Sequence, residues 1–265
     1  VNILVKKGYN DFSFVSQDSS SYLRDLGHND GLEQLIDAVE KIDGVKTARI
    51  LYLYPSTTTL NLIDKIADSK VFVNYFDMPL QHISQNMLKI MKRGKGAEKL
   101  IELMNYMRSK PNSFVRTTFI AGHPGESEED FEELCSFVEE FGFDRGNVFS
   151  YSDEEGTSAE TRDDKIEQEL IDERAEILGD IISQTTIKSL ENDIGKSFEV
   201  YIDGESEEHE YLLSARKTIW APQIDGEIYI NDNEGNLPIV FGEIYEVEAT
   251  ELAGDKLLAK IIRKV

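Results

Sequence analysis

TFIAGHPGESEEDFEELCSFVEEF, Thr118 to Phe141, reads as a strand, a tight turn on His123-Pro124-Gly125 and a helix. Phe119, Ile120 and Ala121 form an apolar run that asks for burial, while Phe131, Leu134, Cys135 and Val138 recur at helical spacing. A buried strand leading through a short turn into an amphipathic helix is one β-α unit of a parallel sheet. Residues 126 to 140 also hold eight acids and no base: Glu126, Glu128, Glu129, Asp130, Glu132, Glu133, Glu139 and Glu140. Such a face suits a cationic partner and repels phosphate.

The same unit recurs outward from this stretch. Strands are expected at 11–18 (DFSFVSQD), 47–56 (TARILYLYPS), 73–81 (VNYFDMPLQ), 113–122 (SFVRTTFIAG) and 144–153 (DRGNVFSYSD), with amphipathic helices between them. Polar residues gather where these strands end: Gln17 and Asp18, Pro55 and Ser56, Gln81 and His82, His123 to Glu126, and Ser152 to Gly156. In parallel α/β folds the loops after the strand carboxyl ends build the site. Residues 165–193 read as one long helix. Beyond Gly195 the period changes to two, in short strands separated by Gly, Asp and Asn turns, which suggests a five-stranded open, antiparallel barrel of OB-like type. The expected division is therefore 1–194 for an α/β partial barrel with its connector helix and 195–265 for a small all-β barrel.

The sequence has 51 acids against 28 bases, a net charge of -23. A field of that sign repels nucleic acid and anionic membrane. Small barrels often bind nucleic acid, yet from Gly195 to Val265 there are 15 acids and 7 bases, the wrong balance for a phosphate backbone. Arg216, Lys217 and Trp220 form the one basic-aromatic cluster there, with local packing or ribosomal RNA contact as its two readings. Cys135 is the only cysteine, so there is no internal disulfide, and its helical neighbours make it a structural thiol. The four histidines (His28, His82, His123, His209) show no paired ligand spacing, and no metal site is expected from them. Without a signal peptide or a long apolar run, the expected location is cytoplasmic.

Taken together, VSQDSSSYLRDLG, ILYLYPS, DMPLQHIS with MKRG, VRTTFIAGHPGE and VFSYSDEEGT resemble the radical S-adenosylmethionine methylthiotransferases. Within them the chain is similar to the RimO-type branch, which adds a methylthio group to the β-carbon of an aspartate in the twelfth small-subunit ribosomal protein. The resemblance implies a partial TIM-like barrel followed by a TRAM domain, S-adenosyl-L-methionine as cofactor, and a basic ribosomal protein as partner. A sister branch modifies tRNA adenosine. This chain departs from it in having His123 for a Phe, His82-Ile83-Ser84 for Ser-Gly-Ser, and acidic residues at 152–157 where the sister carries a basic one. A non-catalytic ribosome-associated adaptor is the alternative from another class.

The resemblance also implies two 4Fe-4S clusters, held by cysteines that this sequence lacks. The expectation is that the parent protein carries both cluster-binding regions upstream of Val1 and that these 265 residues alone are inactive. The candidates here are therefore binding residues, with no catalytic residue named. For the cofactor they are Gln17 and Asp18 (ribose or amino group, against a loop-capping pair), Arg116 (methionine carboxylate, against a structural ion pair), and His123 with Gly125, where a glycine permits close backbone approach to a ligand. For the substrate they are Gln81 and His82 in the pocket and Asp153, Glu154 and Glu155 toward basic residues.

Overall fold

The computed structural model describes every residue except Lys95 and Glu234. The chain divides into two compact units, Val1–Thr185 and Thr186–Val265. The division falls inside a long helix, ahead of the boundary expected near Ile194.

In the first unit five strands form one sheet in sequence order: β1 (Asp11–Phe14), β2 (Thr47–Ile50), β3 (Phe72–Asp77), β4 (Phe114–Ala121) and β5 (Arg145–Ser150). Every pairing is parallel. A short helix α1 (Asn2–Val5) precedes β1, and α2 (Gly31–Glu40), α3 (Leu60–Ala67), α4 (Gln85–Ile90), α5 (Ala97–Arg108) and α6 (Glu128–Phe141) fill the crossovers. The strands are shorter than the apolar runs suggested, because each run continues into the loop that builds the rim. Strand period two then sorts the side chains. Val115, Phe119 and Ala121 of β4 are buried, the first two in a core with Leu134 and Val138 of α6 and Ile36, Ile63 and Leu100 of the preceding helices. Arg116, Thr118 and Ile120 face the concave side.

Helix α6 starts on a capping box. Ser127 Oγ accepts from the Asp130 backbone N–H, and the Asp130 carboxylate accepts from the Ser127 N–H. It ends on Gly142 in the left-handed conformation, φ +67°. The long helix α7 (Gln168–Glu191) follows β5.

The second unit is a closed barrel of β6 (Ser197–Glu205), β7 (Leu213–Lys217), β8 (Ile228–Asn233), β9 (Ile244–Ala253) and β10 (Lys256–Lys264), ordered β10-β8-β7-β6-β9. Val200, Ile202, Ala215, Ile228, Ile230, Val247, Ala249, Leu257, Ala259 and Ile261 alternate inward and are buried. The open, antiparallel barrel expected from the sequence is corrected in two respects. The ladder between β8 and β10 is parallel, and that pairing joins the two ends and closes the barrel. Closure removes the exposed strand edges that an open sheet would leave. The Arg216-Lys217-Trp220 cluster packs locally: Arg216 lies over the Tyr201 ring and pairs with Asp203, while Lys217 sits over Phe198 and Trp220 and pairs with Asp193.

Candidate functional site

The concave face of the first unit sets polar side chains among apolar ones, where a packed core would be apolar throughout. Arg116, Thr118 and Ile120 of β4, with Asn147 and Phe149 of β5, line a cavity of about 810 Å³ at the carboxyl ends of the strands. The rim loops add Gln17, Tyr52, Tyr54, Gln81, Arg93, His123, Tyr151 and Glu154.

Arg116 is only 8% exposed and donates to Asp77 Oδ1 at 3.2 Å. With its amide oxygen turned toward β4, Asn147 accepts from the same guanidinium at 2.8 Å. Asp77 Oδ2 accepts from the Tyr52 backbone N–H at 3.1 Å, holding Tyr52 in the left-handed conformation at φ +58°. Burial raises the Asp77 pKa above its ordinary value, against the opposing pull of Arg116 and the Tyr52 N–H. The alternative readings of Arg116 therefore coexist: it makes a structural ion pair and lines the cavity.

His123 is buried, lines the cavity, and packs edge-on against Tyr151 with centroids 5.0 Å apart. Its Nδ1 stands 2.9 Å from the Pro124 carbonyl oxygen. A carbonyl only accepts, so Nδ1 carries the proton and Nε2 of the neutral ring is the acceptor. Burial lowers the His123 pKa, outweighing the hydrogen bond to Pro124. Gln81, midway along the loop between β3 and α4, adopts φ +70°, and its side-chain Oε1 is buried without a hydrogen-bond partner.

Beneath this rim lies a buried network that the sequence reading took for surface acids. Glu126 Oε2 accepts from Arg174 Nη1 at 2.8 Å and from the Gly122 N–H at 2.9 Å, and Oε1 lies 3.3 Å from His82 Nε2. His82 Nδ1 accepts from the backbone N–H groups of Ile83 and Ser84, both at 3.0 Å, so its proton sits on Nε2, toward Glu126. Arg174 also donates to Glu128 Oε2 at 2.9 Å and lies over the Phe131 ring. Glu126 thus ties the loop after β3 and the loop after β4 to α7. Asp130 is likewise internal, accepting from Ser84 and Asn86. Burial pushes its carboxyl up, but the hydrogen bonds from Ser84, Asn86 and Ser127 outweigh that and hold it below its ordinary value.

Of the residues singled out from the sequence, Gln17, Gln81, Arg116, His123 and Glu154 meet at the cavity. Five others do not. His82 is fully buried against Glu126, because its ring is needed to cap two backbone donors. Asp18 accepts from the Ser20 and Ser21 hydroxyls, which makes it a loop cap. Gly125 (φ +88°) does give a close backbone approach, to Arg162, Asp164 and Ile90, but does not itself line the cavity. Asp153 is engaged by Lys165 and the Tyr151 hydroxyl. Glu155 is exposed and outside the lining.

A family model described as the Radical SAM superfamily matches residues 1–138. The chain belongs to the radical SAM superfamily. A TRAM domain model matches residues 194–262, the closed barrel of this radical SAM chain. Among curated relatives, "Ribosomal protein uS12 methylthiotransferase RimO" of Aliarcobacter butzleri is 78% identical over 265 residues, covering 99% of this chain and 59% of the relative. The protein of the same name from Sulfurovum sp. is 60% identical, covering 100% of this chain and 60% of the relative. The chain spans about three-fifths of the length of the curated relatives it matches. A solved radical S-adenosylmethionine methyltransferase, TsrM from Kitasatospora setae, aligns at 16% identity and a TM-score of 0.44, over 56% of this chain and 28% of that one.

The radical SAM cavity suits an S-adenosylmethionine-like ligand. Arg116 offers a guanidinium for a carboxylate, Gln81 brings an unsatisfied amide, His123 supplies an acceptor nitrogen, and Ile90, Ile120 and Phe149 give apolar walls. The chain's own donors do not suit an iron–sulfur cluster. Its single thiol, Cys135, is half-buried on α6 and pushed up to about 11 by burial and then by Glu126. Among the described residues no three His, Cys, Asp or Glu side chains stand together as metal ligands, and no helix is long and apolar enough to cross a membrane.

The sequence reading missed Thr118, Asn147 and Tyr151, although alternation from Arg116 along β4 and from Asn147 along β5 marks each of them as facing inward. It also missed Tyr54 and Arg93, which come from irregular loops and carry no periodic signal.

Proposed function

We propose that this chain is the carboxyl-terminal part of a radical S-adenosylmethionine enzyme that adds a methylthio group to the β-carbon of an aspartate in ribosomal protein uS12. The observation that carries the reading is the cavity at the strand ends, where Arg116, Gln81 and His123 converge on a space of ligand size. Arg116 would hold the methionyl carboxylate, with Gln17, Gln81 and His123 contacting the rest of the cofactor. That cofactor supplies radical chemistry when it meets a reducing cluster, and the two 4Fe-4S clusters would be bound by cysteines of the parent outside this chain. The 265 residues alone would then be inactive, and the functional division would be a barrel at 1–194 and a TRAM domain at 195–265.

The net charge of -23 supports a basic protein substrate met in the cytoplasm. It disfavours tRNA, the substrate of the sister reading, because a polyanion approaching this surface is repelled. Titration of the full-length protein with uS12 and with tRNA across a salt series separates the two. The proposal expects uS12 to bind and tRNA to bind weakly at all salts. Tight tRNA binding that falls steeply with salt would contradict it.

A further inference from the structure

The cavity presents two arginines in different electrostatic states. Arg116 lies at its floor, 8% exposed, and its charge is balanced by Asp77 at 3.2 Å. Arg93 lies at its rim on the segment after α4, and among the described residues no carboxylate pairs with it. Its Nη1 instead donates to the neutral hydroxyl of Tyr54 at 2.7 Å, and its guanidinium carbon stands 5.2 Å from the centre of that ring. Tyr54 is itself fixed. Its backbone N–H donates to Ser20 Oγ at 2.8 Å, and the same Ser20 hydroxyl is held by Asp18 at 2.7 Å. A chain of hydrogen bonds from Asp18 through Ser20 and Tyr54 therefore positions, at the mouth of the cavity, a guanidinium that pairs with no carboxylate among the described residues.

A fixed cation with a neutral anchor keeps its charge available for a second anion that arrives from outside. Resting on the uS12 reading, two carboxylates must enter this cavity: that of the cofactor's methionyl group and that of the aspartate to be modified. We propose that Arg93 receives the side-chain carboxylate of the target aspartate and is the residue that selects aspartate over its amide. Arg116, deeper and already balanced, is left to the cofactor. Asp18, though outside the cavity, acts as a positioning residue through Ser20 and Tyr54.

The test uses the full-length enzyme with S-adenosylmethionine bound, and two ligands: uS12 and uS12 with the target changed from Asp to Asn. The wild-type enzyme binds the aspartate form more tightly by roughly ten- to a hundredfold, as expected for a charge-assisted pair. Arg93→Gln binds both forms alike at the weaker level, with unchanged affinity for S-adenosylmethionine, and Arg93→Lys restores part of the preference. An Arg93→Gln enzyme that keeps the wild-type preference, or that loses affinity for S-adenosylmethionine instead, overturns the assignment. A wild-type enzyme that neither binds nor methylthiolates uS12 overturns the underlying reading as well, a result distinct from either of those.

Discussion

Replacing Glu126 by alanine tests whether the buried Glu126–Arg174 network holds the rim together. The side chain of Glu126 is fully buried, and the substitution removes the acceptor of Arg174 Nη1 at 2.8 Å and of the Gly122 N–H at 2.9 Å. Breaking a buried pair by deleting one partner costs about 3–5 kcal/mol. Arg174 keeps Glu128 Oε2 at 2.9 Å and the Glu126 carbonyl at 3.0 Å, so the guanidinium contributes the lower part of that range. The orphaned Gly122 N–H adds roughly 1–3 kcal/mol. The expected loss is about 4–6 kcal/mol, and at about 2–4 °C per kcal/mol the unfolding midpoint falls by roughly 8–24 °C. The assay is thermal unfolding followed by far-UV ellipticity, which reports the helices. Trp220, the single tryptophan, lies in the second unit, so its fluorescence follows that unit separately. A midpoint in ellipticity that moves by less than about 2 °C, under 1 kcal/mol, would mean that the Glu126–Arg174 pair does not hold the rim.

Three further outcomes are expected. Arg116→Ala in the full-length protein weakens S-adenosylmethionine binding by roughly tenfold or more, the worth of one charge-assisted pair, as read by equilibrium titration with folding checked by circular dichroism; unchanged affinity removes Arg116 from the cofactor site. Because the Asp130 pKa is lowered in the folded state, its charge stabilises the fold above the ordinary carboxylate range and that contribution is lost as pH falls through the folded value. Asp130→Asn should therefore cost about 1–3 kcal/mol in urea unfolding at neutral pH, a deficit that shrinks below about pH 4, and a deficit independent of pH would count against the charge. The Cys135 thiol, pushed up to about 11, is roughly one part in a thousand thiolate at pH 8, so iodoacetamide should alkylate the folded chain more than about a hundredfold slower than the unfolded one; equal rates would place the thiol in solvent.

The elements were legible because their patterns are local. The apolar runs gave all five strands of the sheet, and the helix expected from EEDFEELCSFVEEF spans Glu128–Phe141. Closure of the small barrel was not legible, since the parallel β8–β10 ladder is a pairing between distant segments and leaves no mark on either one. The site was legible to the extent that it follows strand ends: Gln17, Gln81, Arg116 and His123 were all read from position along a strand or just past it. What failed was inference from charge alone. Glu126 and Asp130 look like two more members of an acidic surface, yet each is buried because the tertiary fold brings it partners from α7 and from the loop after β3. His82 looks like a pocket residue for the same reason that Gln81 does, but the backbone turn that places Gln81 Oε1 under the rim points the next side chain inward to Glu126.

Methylthiolation of uS12 is read directly from the mass of its aspartate-bearing peptide, isolated from cells with and without the full-length gene. The account predicts one methylthio group replacing one hydrogen on that aspartate, present only when the gene is intact. An unmodified peptide in both strains, accompanied by altered tRNA nucleosides in the mutant, would contradict it.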